Sequence, residues 1–180
     1  MEIKEERIKG LFTFLPKVFG DERGYFLETF SQFKYEKILN VTSLVQDNLS
    51  LSSKGVLRGL HFQSPPHDQG KLIQVIKGSV IDVALDIRKD SPTYGQHISI
   101  LLDDIEKKQF WIPPGFAHGF CALEDNTIFS YKCSNYYAPA FENTILWNDK
   151  NLNIDWNIKE PIISEKDQRG IEFNNFVSPF

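Results

Sequence analysis

Histidines are the first residues of this chain to consider for chemistry, because their side chains can bind metals or move protons near neutral pH. The sequence has four, His61, His67, His97 and His118, and no two of them form the H-x-H pair typical of metal-binding β-barrels. The C-x-x-C, H-E-x-x-H, G-x-G-x-x-G, P-loop and G-x-S-x-G motifs are also absent. The sequence therefore predicts no metal and no cofactor, and leaves acid–base chemistry or plain binding.

His61 lies in segment 57–63, a short apolar run that also carries Arg58. Strict strand alternation would place Arg58 and His61 on opposite faces. A β-bulge at Gly59 would shift the alternation by one residue and aim both side chains into one cavity, as bulges beside active sites do. The alternative is a core-edge histidine that pairs with a carboxylate, together with an arginine that is only a surface charge.

The segment 80–87 places two carboxylates, Asp82 and Asp86, on one face and aliphatic side chains on the other. If the first face lines the interior of a barrel, Asp82 must accept a hydrogen bond, because a buried unpaired carboxylate is costly. We expect His118 to be its partner. His118 is flanked by apolar residues, and such a histidine is more often structural than catalytic.

Tyr131 belongs to another alternating segment, residues 127–133. If its face is interior, the phenol projects into the cavity, and with an ordinary pKa near ~10 it stays protonated and can act as a general acid. The alternative is a strand aromatic whose hydroxyl lies at the surface. Tyr136 and Tyr137 follow in a loop, where an exposed ring could stack on a base or sugar, although packing is an equal alternative.

Three cations, Arg23, Arg58 and Lys71, lie near the ends of predicted strands. Such cations suit a diphosphate, although scattered surface charges would give the same pattern.

Short β-like runs separated by turn residues account for most of the sequence. They are residues 25–30, 56–63, 71–75, 79–87, 97–102, 109–112, 120–123 and 127–133. One short amphipathic helix is predicted over residues 31–39, and Lys77–Gly78 is predicted as a hairpin tip. Many short strands without alternating helices predict an all-β fold, an antiparallel sandwich or barrel of the jelly-roll kind.

Composition sets limits on the class of protein. The 180 residues fit one domain, 1–180, with a C-terminal tail over about 168–180, and we expect the last residues of that tail, 174–180, to be loosely held. A net charge of −4 argues against a general nucleic-acid binder. The chain has only two cysteines, and its charged N-terminus has no apolar stretch of a secretory signal, so we expect a cytoplasmic protein. No apolar run reaches about 18 residues, which predicts that the chain does not span a membrane.

Seven motifs occur in order along the chain. They are KVFGDERG at 17–24, QDN at 46–48, LRGLHFQ at 57–63, QGKL at 69–72, DSPTYG at 90–95, IPPGFAHGF at 112–120 and YKxxNYY at 131–137. From about residue 17 to residue 167 the chain closely resembles dTDP-4-dehydrorhamnose 3,5-epimerases, while residues 64–68 and the tail fall outside the matched core.

The resemblance implies a cupin-type jelly roll that dimerises, needs no metal or cofactor and inverts two carbons of dTDP-4-dehydro-6-deoxy-D-glucose. That reaction lies on the route to dTDP-L-rhamnose, a precursor of cell-surface polysaccharide. The Arg23 to Glu28 segment would reach the site of the neighbouring subunit.

The resemblance also implies roles for individual residues. His61 matches the proton acceptor, Tyr131 the proton donor and Asp167 the carboxylate that pairs with the base. Lys71 matches the residue near the sugar ketone, and His118 with Asp82 a second histidine–carboxylate pair. The implied nucleotide-sugar contacts are Arg23, Glu28, Gln46, Asp47, Asn48, Arg58, Lys71, His118, Glu142 and Lys166, with Tyr137 stacking on the thymine.

Two other functions remain open from the sequence. One is an epimerase of a related nucleotide sugar that inverts only C3 or only C5, because pocket shape and the placement of Tyr131 decide which carbon is reprotonated. The other is a nucleotide-sugar-binding cupin that has lost its chemistry. Retention of His61, Asp167 and Tyr131 argues against the second.

Overall fold

Fourteen strands and two short α-helices make up the computed structural model, which describes residues 1–180. The strands are β1 (Glu2–Glu5), β2 (Phe12–Leu15), β3 (Val18–Asp21), β4 (Gly24–Leu27), β5 (Gln46–Ser52), β6 (Val56–Gln63), β7 (Lys71–Lys77), β8 (Ser79–Asp86), β9 (His97–Asp103), β10 (Gln109–Ile112), β11 (Phe116–Ala122), β12 (Thr127–Cys133), β13 (Glu142–Thr144) and β14 (Ile162–Ile163). The helices are α1 (Gln32–Leu39) and α2 (Glu165–Gln168), and single 3₁₀ turns lie at Pro139–Phe141 and Phe173–Asn175.

Two sheets face each other across the main core. The first has the order β1-β2-β10-β7-β12-β5, and the second has the order β13-β6-β11-β8-β9, with β14 added beside β6. Every strand pairing is antiparallel except that of β14 with β6. Apolar side chains from both sheets, such as Phe110 and Phe129 from the first and Val80 and Phe120 from the second, pack together between them. This jelly-roll arrangement confirms the predicted fold class.

The outer face of the second sheet is covered by the C-terminal part of the chain. Leu85 on β8 belongs to a second apolar cluster that also contains Trp156, with Phe176 and Phe180 packed against it. The ring of Phe176 lies 5.5 Å from that of Phe62 on β6. Strand β8 is therefore buried on both faces, and the expectation of a loosely held tail is wrong because these aromatic rings anchor it.

Helix α1 covers part of the outer face of the first sheet. Its buried residues Tyr35 and Leu39 pack on Phe14 and Trp111. The Tyr35 hydroxyl donates a hydrogen bond of 2.7 Å to the buried Gln109 side chain of β10. Apolar contact and this bond together explain why so short a helix is stable, since an isolated helix of this length is not. Neither helix has the length or the apolar character needed to span a lipid bilayer.

The prediction of a hairpin at Lys77–Gly78 is wrong. Strand β7 belongs to the first sheet and β8 to the second, so this turn carries the chain from one sheet to the other. Gly78 has a φ of +82°, and a Cβ atom there would lie 2.6 Å from Oγ1 of Thr127. Only glycine fits such a turn without strain.

Strand β5 is the longest strand that the sequence does not predict. Its inward side chains are polar, among them Gln46, Asn48 and Ser50, while the outward Leu49 and Leu51 are exposed. This pattern is the reverse of an ordinary amphipathic strand. It places a row of polar groups inside one end of the barrel.

Candidate active site

A β-bulge on β6 aims two of the candidate side chains into one cavity. In the pairing of β6 with β11, the two residues Gly59 and Leu60 lie opposite the single residue Gly119. Gly59 has a φ of +135°, and a Cβ atom there would lie only 2.5 Å from Cα of Gly119, so no larger residue fits. Arg58 and His61 consequently line the same cavity. Of the two alternatives that the sequence left open, the structure has the bulge at Gly59.

His61 is paired with Asp167, which lies 106 residues further along the chain. His61 Nε2 is 2.6 Å from Asp167 Oδ1, and the histidine side chain is 26% exposed while the aspartate is 4% exposed. Asp167 lies on α2, whose N-cap residue Ser164 accepts a hydrogen bond from the Asp167 N–H. The N–H of Gly59 donates to the second carboxylate oxygen at 3.4 Å.

These contacts set the charge state of the pair. Burial raises the pKa of Asp167, but the hydrogen bonds that it accepts from His61 and from the Gly59 N–H outweigh burial and hold the pKa below its ordinary value. An ionised carboxylate can only accept hydrogen bonds, so Nε2 of His61 carries the proton. The other ring nitrogen, Nδ1, is then free to act as a base.

Tyr131 and Lys71 contribute an acid and a cation to the same cavity. On β12, Phe129 and Cys133 are buried while Tyr131 on the same face lines the cavity, which confirms the predicted alternation. Burial raises the pKa of Tyr131 to about 12, so its phenol is protonated at neutral pH. Burial has the opposite effect on a cation, so it lowers the pKa of Lys71. The Lys71 ammonium lies 6.0 Å from the centre of the Tyr131 ring.

A second histidine–carboxylate pair lies deeper in the barrel. His118 Nε2 is 2.9 Å from Asp82 Oδ2, and the two side chains are 7% and 0% exposed. Burial lowers the pKa of His118, and the Asp82 carboxylate only partly opposes that shift. The predicted contact between His118 and Asp82 is confirmed. The other oxygen of Asp82, Oδ1, is buried without a hydrogen-bond partner in the protein.

The cavity has two adjoining lobes. The inner lobe has a volume of about 410 Å³ and contains Arg58, His118, Lys166 and Asp167 among its lining residues. The outer lobe has a volume of about 270 Å³. Its lining includes Gln46, Gln63, Gln69, Tyr137 and Glu142. Both lobes share Asn48, His61, Lys71 and Tyr131, so the imidazole, the ammonium and the phenol lie where the lobes meet.

A larger cavity of about 580 Å³ lies beside β1 and β2, away from these groups. Its polar lining consists of Glu2, Lys4, Thr13, Glu106 and Lys108, without a histidine or tyrosine. It therefore lacks the imidazole and the phenol that line the two-lobed cavity. No group of three or more histidine, cysteine, aspartate or glutamate side chains has the geometry to hold a metal ion.

The outer lobe is closed on one side by a short polar chain. The Tyr137 hydroxyl donates to Glu142 Oε2 at 2.7 Å, and Lys166 Nζ lies 2.5 Å from the same oxygen. Burial raises the pKa of Glu142, but these two partners outweigh it and the pKa lies below its ordinary value. The backbone N–H of Tyr137 donates to the Gln46 side chain at 2.8 Å.

Three of the predicted contact residues lie outside the cavity of this chain. Arg23 is at the tip of the β3–β4 hairpin, with its side chain 85% exposed and paired with Asp21. Glu28 pairs with Lys34 at 2.6 Å. Asp47 lies on the outward face of β5. Its side chain pairs with Lys132 at 2.8 Å.

Comparison with known proteins accounts for this combination of fold and cavity. Residues 5–175 match the dTDP-4-dehydrorhamnose 3,5-epimerase family. The chain belongs to that family. Its relatives include the dTDP-4-dehydrorhamnose 3,5-epimerase of Shigella flexneri, which is 49% identical over 174 residues and covers 96% of each chain. The resemblance inferred from the sequence motifs is confirmed.

Solved structures in the family superpose closely on this chain. The dTDP-6-deoxy-D-glucose-3,5-epimerase of Legionella pneumophila, solved in complex with dTDP-4-keto-L-rhamnose, is 47% identical with a TM-score of 0.93. That match covers 96% of this chain and 93% of the other. A 3'-monoepimerase from Streptomyces bikiniensis, solved with dTDP-quinovose, is 28% identical with a TM-score of 0.90 and covers 94% and 87% of the two chains. The cupin-type jelly roll of the epimerases is thus also the fold of this protein.

Two residues that hold the site together were not singled out from the sequence. Ser164 caps the helix that carries Asp167, and the S-x-x-D spacing before a short helix was a signal that could have found it. Gln63 closes the motif LRGLHFQ and makes three hydrogen bonds to loop backbone. No local pattern marks Gln63, because its partners lie in other segments.

Proposed function

We propose that this protein is a dTDP-4-dehydrorhamnose 3,5-epimerase, an isomerase that converts dTDP-4-dehydro-6-deoxy-D-glucose to dTDP-4-dehydro-L-rhamnose. The observation that carries the proposal is the pair of His61 and Asp167, 2.6 Å apart, in a cavity that also contains Tyr131 and Lys71. Family membership supports the same reaction.

Proton abstraction next to the C4 ketone is the first step of the proposed reaction. The ketone acidifies the hydrogens on C3 and C5, because the carbanion left by deprotonation is delocalised as an enolate. His61 Nδ1 removes the proton, while Asp167 holds the opposite nitrogen and stabilises the imidazolium that forms. The residues of the chain are sufficient for this step without a cofactor.

Stabilisation of the enolate and reprotonation complete the reaction at each carbon. Lys71 stabilises the charge that gathers on the ketone oxygen, and desolvation strengthens that interaction because the local dielectric is low. Tyr131 donates its own proton to the carbon from the opposite face, which inverts the carbon. Proton exchange with solvent then removes the proton from His61 and restores the phenol before the second carbon reacts. Its pKa of about 12 keeps it in the acid form that this role requires.

The base of the nucleotide occupies the outer lobe in this proposal, where Tyr137 stacks on the thymine. Arg58 and Lys166, which line the inner lobe, are cations suited to the diphosphate. Gln46 and Asn48 supply hydrogen-bonding groups from the polar inner face of β5. Glu142, which holds both Tyr137 and Lys166, keeps the stacking ring and the cation on one side of the lobe.

A homodimer completes the site in this proposal. The β3–β4 hairpin exposes Phe19, Tyr25 and Phe26, the last of them 70% exposed, and the outward face of β5 exposes Leu49 and Leu51. Exposed apolar surface of this extent is typical of protein interfaces. Packing of this hairpin on a second copy would carry Arg23 and Glu28 to the partner's cavity. Light scattering of the protein and of Phe26→Asp tests the dimer, which the substitution is expected to dissociate.

We also propose that the protein works in the cytoplasm. Its two cysteines, Cys121 and Cys133, are free and buried, which suits a reducing compartment.

A single-position epimerase is the second candidate. The Streptomyces bikiniensis 3'-monoepimerase has nearly the same fold, so the fold alone does not separate the two reactions. The higher identity to double epimerases favours inversion at both carbons. A binder without chemistry is disfavoured, because the histidine–aspartate pair and Tyr131 are all in the cavity.

Proton NMR of the purified protein with dTDP-4-dehydro-6-deoxy-D-glucose in deuterated water tests the proposal. Deuterium exchange and inversion at both C3 and C5 are expected. Inversion at one carbon only would favour the single-position epimerase. Binding of the nucleotide sugar without exchange at either carbon would contradict the enzyme assignment.

A further inference from the structure

Gln63 is a buried polar residue that the proposed reaction does not use. It is the last residue of β6, two positions after His61, and it is 5% exposed. A buried side-chain amide must satisfy two N–H donors and one carbonyl acceptor, because an unpaired buried polar group is costly. Its partners therefore show what this residue holds in place.

All of the Gln63 partners are backbone groups of two loops. Nε2 donates to the carbonyl of His67 at 2.5 Å and to the carbonyl of Tyr136 at 3.2 Å. Oε1 accepts a hydrogen bond of 2.8 Å from the N–H of Ala138. One side chain thus ties the loop after β6 to the loop after β12.

The bonds to the second loop lie on either side of Tyr137. Gln63 bonds to the carbonyl that precedes Tyr137 and to the N–H that follows it. Gln46 accepts the N–H of Tyr137 itself at 2.8 Å. The Tyr137 backbone is held between a glutamine of the second sheet and a glutamine of the first.

We propose that Gln63 is a positioning residue that orients Tyr137 for the nucleotide base, so that it sets affinity for the nucleotide without taking part in proton transfer. This inference rests on the proposed function, in which Tyr137 stacks on thymine. Holding an aromatic ring in its bound orientation raises affinity, because less conformational freedom is lost when the ligand binds.

The test compares Gln63→Glu with the unmodified protein. The carboxylate keeps the acceptor for Ala138 but loses both donors and faces the carbonyls of His67 and Tyr136. We expect KM for the sugar nucleotide and Kd for dTDP, measured by calorimetry, to rise about tenfold, as loss of two buried hydrogen bonds implies. The kcat should stay within about twofold, because His61, Tyr131 and Lys71 keep their positions.

Two controls separate this role from general damage to the fold. Gln32→Glu makes the same change in charge on α1, where Gln32 also donates to a backbone carbonyl, that of Thr42 at 2.9 Å, and should leave dTDP affinity unchanged. Gln63→Met removes every hydrogen bond with little change in length. It provides a second measurement if Gln63→Glu does not fold.

A double-mutant cycle with Tyr137→Ala decides whether Gln63 acts through Tyr137. In that background, Gln63→Glu should no longer weaken dTDP binding. An equal loss of affinity in both backgrounds, an unchanged Kd in both Gln63 variants, or a fall in kcat at unchanged KM would each overturn the inference. Wild-type protein that binds dTDP but does not epimerise the sugar would contradict the proposed function alone, and the binding cycle would still decide the role of Gln63.

Discussion

Two histidine–aspartate pairs line one end of the same barrel, yet they differ in how far they can be reached. His61 and Asp167 are 2.6 Å apart with the imidazole 26% exposed, whereas His118 and Asp82 are 2.9 Å apart with the imidazole only 7% exposed. Burial lowers the pKa of His118, which favours its neutral form. The first pair is open to a ligand, while the second is part of the wall.

The two carboxylates also differ in how they are supported. Asp167 accepts hydrogen bonds from His61 and from the Gly59 N–H, and its own N–H is capped by Ser164. Asp82 uses one oxygen for His118 and leaves the other buried without a protein partner. Similar residue types therefore do not imply similar roles. A base requires both an accessible ring and a carboxylate that is firmly held.

The largest effect is expected from His61→Ala. Loss of a general base costs about 10² to 10⁴ in rate, and no other accessible histidine replaces it, so kcat should fall at least that far. Steady-state kinetics measure the loss, and circular dichroism should show an unchanged fold because His61 is partly exposed. Substantial residual epimerisation would remove His61 from the role of base.

The matched variants Asp167→Asn and Asp82→Asn test the difference between the pairs directly. An asparagine at 167 can present its NH₂ to Nε2 of His61, which would favour the tautomer with Nδ1 protonated and abolish the base. We expect kcat to fall about 10³-fold or more for Asp167→Asn, as for other triad-type carboxylates, and about tenfold or less for Asp82→Asn. Equal losses of kcat would mean that both pairs take part in proton transfer.

The pH dependence of the reaction tests the proposed role of Lys71 in stabilising the enolate. The Lys71 ammonium also interacts electrostatically with His118 and Asp82 of the second pair. Desolvation lowers the pKa of Lys71, so its ammonium loses a proton as pH rises through a value below the ordinary lysine pKa. Tyr131, with a pKa of about 12, is still protonated there. We therefore expect kcat/KM to fall with rising pH at the lowered pKa of Lys71.

Lys71→Arg provides the comparison for that profile. Arginine stays charged across this range, so the alkaline fall in kcat/KM should disappear even where the overall rate is lower. An unchanged alkaline limb in Lys71→Arg would assign the titration to another group.

The smallest effect is expected from Ser164→Ala, which loosens only the support of Asp167. Loss of an N-cap costs about 1 kcal/mol of stability, so the midpoint of thermal unfolding should fall by a few degrees. The kcat should fall by about two- to fivefold, because Asp167 is held less firmly. Asp82 has no equivalent cap, because its strand is held by neighbours on both sides. A fall in kcat as large as that of Asp167→Asn would mean that Ser164 contacts the substrate.

The sequence by itself determined several strands and the family. Strands β6, β10 and β12 were predicted with their observed bounds, because short β-like runs between turn residues are typical of strands. The spacing of Arg58 and His61 raised a bulge at Gly59 as one of two alternatives, and the structure decided between them. The ordered motifs identified the family, and most of the residues that they imply do line the cavity.

Only the tertiary structure decided how separate segments meet. Asp167 reaches His61 across 106 residues of chain, and Gln63 finds its partners in two different loops. The packed C-terminal tail was not predicted for the same reason. Local periodicity reports which face of a segment is buried, but the element that covers that face comes from distant sequence and is selected by packing of the whole chain.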